Sequence, residues 1–406
     1  MYTLRFHETL EGGSSMYPPT TPPTAHGQAL GPEAELNTHS YMGGWGYAAG
    51  GAASIFSTRN TNPLFTSGHP FLGPLAQHSA VARSAITWGV PMQQQPSQLL
   101  SGTAMATVSW PHTTVLYVQD IHTAVRELRH AQANTAPDFL KVFNRGCPSP
   151  LASIHWVDGN TRHLRIYTID SQNTIREAGH SSSNPTWSAW ELDQMRIRPL
   201  PESKLASVMV PGAIHLYYQD DNDRMVYYQR LRSNQWRWSE GLTLPVFTNA
   251  APGTPIAAVA WGDLNVRLFC LDSGCRIFHC SFAGSILGSG RWTMELVCVS
   301  VREDSPLAAI QWTDNQNVSH VRVYYIDRFD GIQELCWDNS RYRVGFLSRY
   351  RVLAAPGSSL AATRDGNSIR VFYQAPGDEA TICQHVSSHI NPNSWSPGPA
   401  LTPRAD

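Results

Sequence analysis

Two kinds of side chain recur at a fixed step along this chain, and together they could hold hydroxyl groups. Arg165 and Glu177 stand twelve residues apart, as do Arg322 and Glu334, while Arg370 and Gln384 stand fourteen apart. A guanidinium offers a rigid fork of N–H donors. A carboxylate accepts from ligand O–H groups in short, charge-assisted bonds. Held apart on one face, the two can grip adjacent hydroxyls of a sugar while an indole covers the apolar face of the ring. The competing reading is an ion pair that glues neighbouring elements together. The pair is complete in only three of six copies, although the packing residues around it persist. A glue required by the fold should be kept more evenly, so the binding reading is preferred.

The elements that carry these residues are strand–turn–strand units. The best-kept copy is VRVYYIDRFDGIQELCW, residues 321–337. Its first strand has five relatives: TVLYVQD (114–120), LRIYTID (164–170), IHLYYQD (214–220), VRLFCLD (266–272) and IRVFYQA (369–375). Their second positions, 115, 165, 215, 267, 322 and 370, are spaced by 50, 50, 52, 55 and 48 residues. A period of this length with only strand signals inside it means a radial or solenoid array. A small-residue strand precedes each anchor (ATVSW, ASIHW, ASVMV, AAVAW, AAIQW, LAATR), a third strand follows the turn, and a fourth is carried by Trp187/Trp190, Trp236/Trp238, Trp292, Tyr342 and Trp395. Six antiparallel units of four strands predict an all-β, six-bladed β-propeller. Both faces of each anchor strand are largely apolar, as expected of a blade covered on both sides by its neighbours. SAITW (84–88) is a candidate outer strand that closes the last blade.

Strand parity gives the pairs a common side. Side chains alternate between faces. A five-residue loop from Asp327 to Gly331, with Gly331 free to take positive φ, pairs Ile326 with Ile332, Tyr324 with Glu334 and Arg322 with Cys336. Arg322 and Glu334 then become diagonal neighbours on one face, roughly 7–8 Å apart. The fourteen-residue step of the sixth copy keeps that parity through a longer loop. Trp337 points the other way, into the cleft on the opposite side of its blade. The first copy has Glu127 but Val115, the third has His215 and Tyr227, and the fourth has Arg267 with His279; these three clefts are expected to bind weakly or not at all.

Composition narrows the function further. A net charge of −1 with only 15% charged residues provides no field favouring nucleic acid or anionic lipid. No apolar run reaches the ~18 residues of a membrane span. The N-terminus lacks the apolar core of a secretory signal, so a cytoplasmic location or leaderless export is expected. The seven cysteines form no Cys-x-x-Cys pair and no His cluster completes a zinc spacing, so buried thiols are expected, with neither metal nor cofactor. Residues 1–78 are rich in Pro, Gly, Ser and Thr without periodicity. They read as a low-complexity, mostly disordered tail, leaving residues 79–406 for the propeller.

At the six anchors, the twelve-residue Arg-to-Glu step, the Ile-x-Glu-x-x-Trp form at 332–337 and the Trp-rich fourth strands, the chain resembles the fungal fucose-binding lectins of the Aleuria aurantia type. The resemblance covers about residues 83–406. It implies six blades, sugar pockets between adjacent blades, Arg and Glu or Gln on fucose hydroxyls, and an aromatic from the next blade on the sugar. Carried over, Arg165 and Glu177 would bind with Trp236, and Arg322 and Glu334 with Trp395. Arg370 and Gln384 would face the first blade, where His130 or Phe139 could provide the platform. The expected function is a multivalent, non-enzymatic lectin for fucosylated glycans, with a homodimer left open. The alternatives are a propeller glycosidase or sialidase, and a structural propeller that binds protein partners. Nothing singles out one copy as a central hydrolytic site with two carboxylates.

Overall fold

The computed structural model describes residues 99–401 apart from 112, 132–137, 145–146, 223, 232–236, 245–249, 263–264, 284–290, 299–300, 339–340 and 389–393. The tail and the SAITW segment lie outside the described residues.

Six four-stranded antiparallel sheets follow one another along the chain. The first contains β1–β4 (Ala106–Trp110, Thr113–Gln119, Ala124–Ala131, Asp138–Asn144). The second contains β5–β8 (Ala152–Asp158, Thr161–Ile169, Ile175–Ser181, Asn184–Ala189), followed by a short helix α1 (Leu192–Met195). The third contains β9–β12 (Ala206–Val210, Ala213–Gln219, Met225–Leu231, Arg237–Thr243) and the fourth β13–β16 (Ala257–Trp261, Asn265–Leu271, Ile277–Ala283, Arg291–Cys298). The fifth contains β17–β20 (Leu307–Thr313, Ser319–Ile326, Ile332–Asp338, Tyr342–Val344) and the sixth β21–β24 (Ala361–Asp365, Ser368–Ala375, Asp378–Ser388, Trp395–Pro397). This is the six-bladed propeller expected from the repeat. Residues of all six inner strands line one axial cavity, and the small side chains of those strands let them converge.

Each anchor strand is buried on both faces. Val321 through Ile326 are all buried, with Val321, Val323 and Tyr325 packed against blade four and Tyr324 and Ile326 against blade six. The register pairs Ile326 with Ile332, Tyr324 with Glu334 and Arg322 with Cys336, as parity requires.

Two details of the turns differ from expectation. The left-handed residue of the fifth turn is Asp330, with φ 62°, and not Gly331. The turn is organised by Asp327, whose Oδ1 accepts the N–H groups of Phe329 and Gly331 and whose Oδ2 accepts from Gln333 Nε2. This side-chain scaffold fixes the backbone, so the left-handed position falls three residues after the aspartate, as at Thr123, Asn173 and Cys275. In blade six the two additional residues do not lengthen the loop. Ala375 pairs with Asp378 across a tight turn that has Gly377 at φ 79°, and a register shift between Tyr373 and Ala375 absorbs the excess as a bulge.

A buried hydroxyl precedes every inner strand. Thr103, Ser149, Ser203, Thr254, Ser305 and Ser358 each accept the backbone N–H near the end of their blade's anchor strand, at 2.7–2.9 Å. Three buried glutamines then reach the next blade. Gln119 accepts from Ser149 N–H, Gln219 from Thr254 N–H and Gln374 from Thr103 N–H. The Gln374 contact joins the last blade to the first, helped by Thr363 Oγ1 donating to Ser109 Oγ. Among the described residues, closure therefore rests on side chains and core packing, with β24 of the C-terminal segment as the sixth outer strand. All seven cysteines are free thiols, and burial pushes the Cys280 and Cys336 thiols up to about 12.

Candidate functional site

The diagonal geometry of the hairpin brings Arg and Glu together in each cleft that has both. In blade five Arg322 Nε lies 3.9 Å from Glu334 Oε1, and in blade two Arg165 Nε lies 3.6 Å from Glu177 Oε1. Both separations exceed hydrogen-bond distance. The Nε atoms of Arg165, Arg267, Arg322 and Arg370 are buried and make no hydrogen bond. A ligand hydroxyl placed between guanidinium and carboxylate would accept from one and donate to the other, satisfying both.

Cleft five lies between blades five and six. Glu334 is 2% exposed; its Oε1 accepts from the Tyr324 hydroxyl at 3.3 Å and its Oε2 from the Leu347 N–H at 3.0 Å. Burial raises its pKa above the ordinary glutamate value, opposed by the Leu347 N–H and the Arg322 charge. Arg322 lies 4.9 Å from the Trp312 ring centroid and donates to Asp338 Oδ1 at 2.8 Å. Asp338 also meets His320 at 2.7 Å, and Trp395 stands edge-on to Tyr324, 6.1 Å away. The buried Trp395 Nε1 has no hydrogen-bond partner.

Cleft two is more crowded. Arg165 is 1% exposed, with its guanidinium 3.4 Å above the Trp190 ring and 5.1 Å from Trp156. Desolvation lowers its pKa to about 10. Glu177 is fully buried and accepts from Trp238 Nε1 at 3.1 Å, and Arg230 of blade three lies 3.5 Å from it. Its pKa is raised by burial despite both arginines. An inter-blade ion pair is thus present here, through Arg230, alongside the Arg165–Glu177 geometry. Trp236 lies outside the described residues; among those described, Trp238 is the indole of blade three at this carboxylate, edge-on to Tyr167 at 6.0 Å.

In cleft six Arg370 is partly exposed and donates to Gln384 Oε1 at 3.0 Å, while Gln384 Nε2 donates to the Pro399 carbonyl at 2.7 Å. The side chains of His130 and Phe139 lie outside the described residues. In cleft four Trp337 of blade five stacks 3.6 Å from the Arg267 guanidinium, so this indole serves the opposite cleft, as parity predicts. His279 there is lowered to about 4 by burial and by Arg267. Cleft three has His215, also lowered to about 4 by burial, against Tyr217 and Tyr227.

Glycines make room for the polar groups, a requirement that the repeat pattern alone does not expose. A Cβ at Gly345 would stand 2.3 Å from Glu334 Oε2, one at Gly179 2.3 Å from Arg165 Cδ, and one at Gly398 2.8 Å from Gln384 Cγ.

The model of the family described as fungal fucose-specific lectin matches residues 99–375. The chain belongs to that family. It is 26% identical over 322 residues to the fucose-specific lectin of Aleuria aurantia, covering 75% of this chain and 96% of that one. It is 23% identical over 296 residues to the fucose-specific lectin of Aspergillus fumigatus, covering 68% and 89%. The crystal structure of the six-bladed Aleuria aurantia lectin superposes with a TM-score of 0.64 at 23% identity, covering 77% of this chain and 99% of that one. Family and fold therefore agree with the sequence reading of a lectin propeller.

Proposed function

We propose that this family member is a multivalent lectin that binds fucose-containing glycans in clefts two, five and six. The observation that carries the reading is the gap in cleft five: an Arg322 Nε–H that makes no hydrogen bond, a buried carboxylate 3.9 Å away, and Trp395 of the next blade edge-on to Tyr324, whose hydroxyl donates to that carboxylate. A sugar supplies what that gap lacks, a hydroxyl for the two charges and an apolar face for the ring. A variant of the Aleuria aurantia lectin has been solved with α-methyl-L-fucoside, which supports fucose as the first ligand to try. Several weak sites on one rigid body raise avidity through effective concentration.

Binding to a glycan array should be confined to fucosylated structures and be abolished by free L-fucose. Arg322→Ala should weaken binding in cleft five at least about tenfold, the worth of a hydrogen bond to a charged group. Array binding that free fucose does not compete would rule the reading out.

A further inference from the structure

The first blade lacks the anchor arginine, but the ladder shows where a replacement stands. Val115, at the anchor position, pairs directly with Arg129 on β3, and Tyr117 pairs with Glu127. In blade five the same two rungs are Arg322 with Cys336 and Tyr324 with Glu334. Arg129 therefore shares the face of Glu127, one strand over from the usual source of the guanidinium. The rest of the constellation is present. Glu127 is 1% exposed and accepts from the Tyr117 hydroxyl at 3.1 Å. Arg129 Nε donates directly to Glu127 Oε1, a closed contact like that of Arg370 with Gln384 in cleft six and unlike the open separations of clefts two and five, so a sugar hydroxyl must be accepted by the pair together. Trp187 of blade two stands edge-on to Tyr117 at 6.1 Å and 86°. That placement matches Trp238 on Tyr167 (6.0 Å, 88°) and Trp395 on Tyr324 (6.1 Å, 80°).

We infer that cleft one is a further sugar pocket, built with its cation carried across the β-ladder from the anchor strand to β3. This rests on the lectin reading above and adds a pocket where the anchor pattern expects weak binding or none. The Arg129 side chain is 49% exposed, whereas those of Arg165 and Arg322 are 1% and 3% exposed. Its fork stands at the mouth of the cleft. There it can bond one sugar hydroxyl while Glu127 accepts from the adjacent one and Trp187 covers the apolar face. A charge at the mouth is screened by salt more than a buried one, so this pocket should weaken with ionic strength more than the others.

Titration of the full chain with α-methyl-L-fucoside, together with crystals soaked in it, tests the inference. Arg129 is half exposed, so Arg129→Ala should fold, which circular dichroism checks. The expected result is one fewer fucoside bound per chain in Arg129→Ala, partial rescue in Arg129→Lys, and sugar density lost from cleft one alone. Unchanged stoichiometry in Arg129→Ala, or an empty cleft one in wild-type crystals whose other clefts are filled, overturns this inference and leaves the lectin reading standing. Wild-type protein that binds no fucoside in any cleft overturns both.

Discussion

A buried carboxylate that must stay ionised to accept from a sugar makes binding sensitive to acid. Glu177 and Glu334 both have pKa values raised from the ordinary 4.5 by burial. Their folded forms hold protons more readily than their unfolded forms do. They therefore contribute stability that is fully present below 4.5 and is lost as pH rises through the folded values. Sugar affinity should run the other way, falling as pH drops through those raised values and starting to fall above 4.5. Titration calorimetry with α-methyl-L-fucoside between pH 8 and pH 4 checks this; an affinity flat across the range would mean that the carboxylates do not accept from the ligand. Gly345→Ala tests the same residue sterically. The added methyl would meet Glu334 Oε2 at 2.3 Å, so the carboxylate must move. Fucoside should vanish from cleft five in crystals of the variant while the other clefts are unaffected.

The hairpin turn is the element that sets the diagonal. Asp120, Asp170, Asp220, Asp272 and Asp327 each accept two backbone N–H groups of their own turn through Oδ1. Four of these aspartates also pair with an arginine: Arg126, Arg176, Arg224 and Arg276. Asp327→Ala removes three hydrogen bonds from the fifth turn and should cost about 1–3 kcal/mol, read as a lower urea midpoint. The larger consequence is register. A slip of one residue would send Glu334 to the other face of the blade, so the variant should also lose sugar from cleft five. This motif was partly legible: aspartate ends five of the six anchors. Its left-handed residue was not, because Gly331 has the greater intrinsic freedom while hydrogen bonding places the positive φ on Asp330.

Closure of the ring is a property of the whole molecule. Gln374 accepts from Thr103 N–H at 3.2 Å and donates to the Leu100 carbonyl at 3.1 Å, tying blade six to the segment before blade one. Around it Leu99, Met105, Leu116, Phe372, Ile382 and Leu401 form a shared core. Gln374→Leu removes its bonds to the Thr103 N–H and to the Leu100 and Glu379 carbonyls, while Thr103 N–H keeps its 3.0 Å bond to the Leu100 carbonyl, so the loss should be about 1–2 kcal/mol. The variant should melt earlier, and hydrogen exchange should rise first in β1 and β21. If exchange rises equally in all blades, closure is not the weak seam.

The sequence by itself determined the blade count, the strand order, the sidedness of Arg322, Glu334 and Trp337, and the identity of the arginine–glutamate pairs. These follow from a 50-residue period and from the alternation of side chains along a strand, both local properties of the chain. What only the tertiary structure decided depends on which blade is neighbour to which. Trp238 reaches Glu177; Arg230 crosses from blade three to the same carboxylate; Trp190 covers Arg165; Gln374 closes the ring. Arg129 belongs with these. Its place opposite Val115 is a fact of strand pairing, which a step count along a single strand does not reveal.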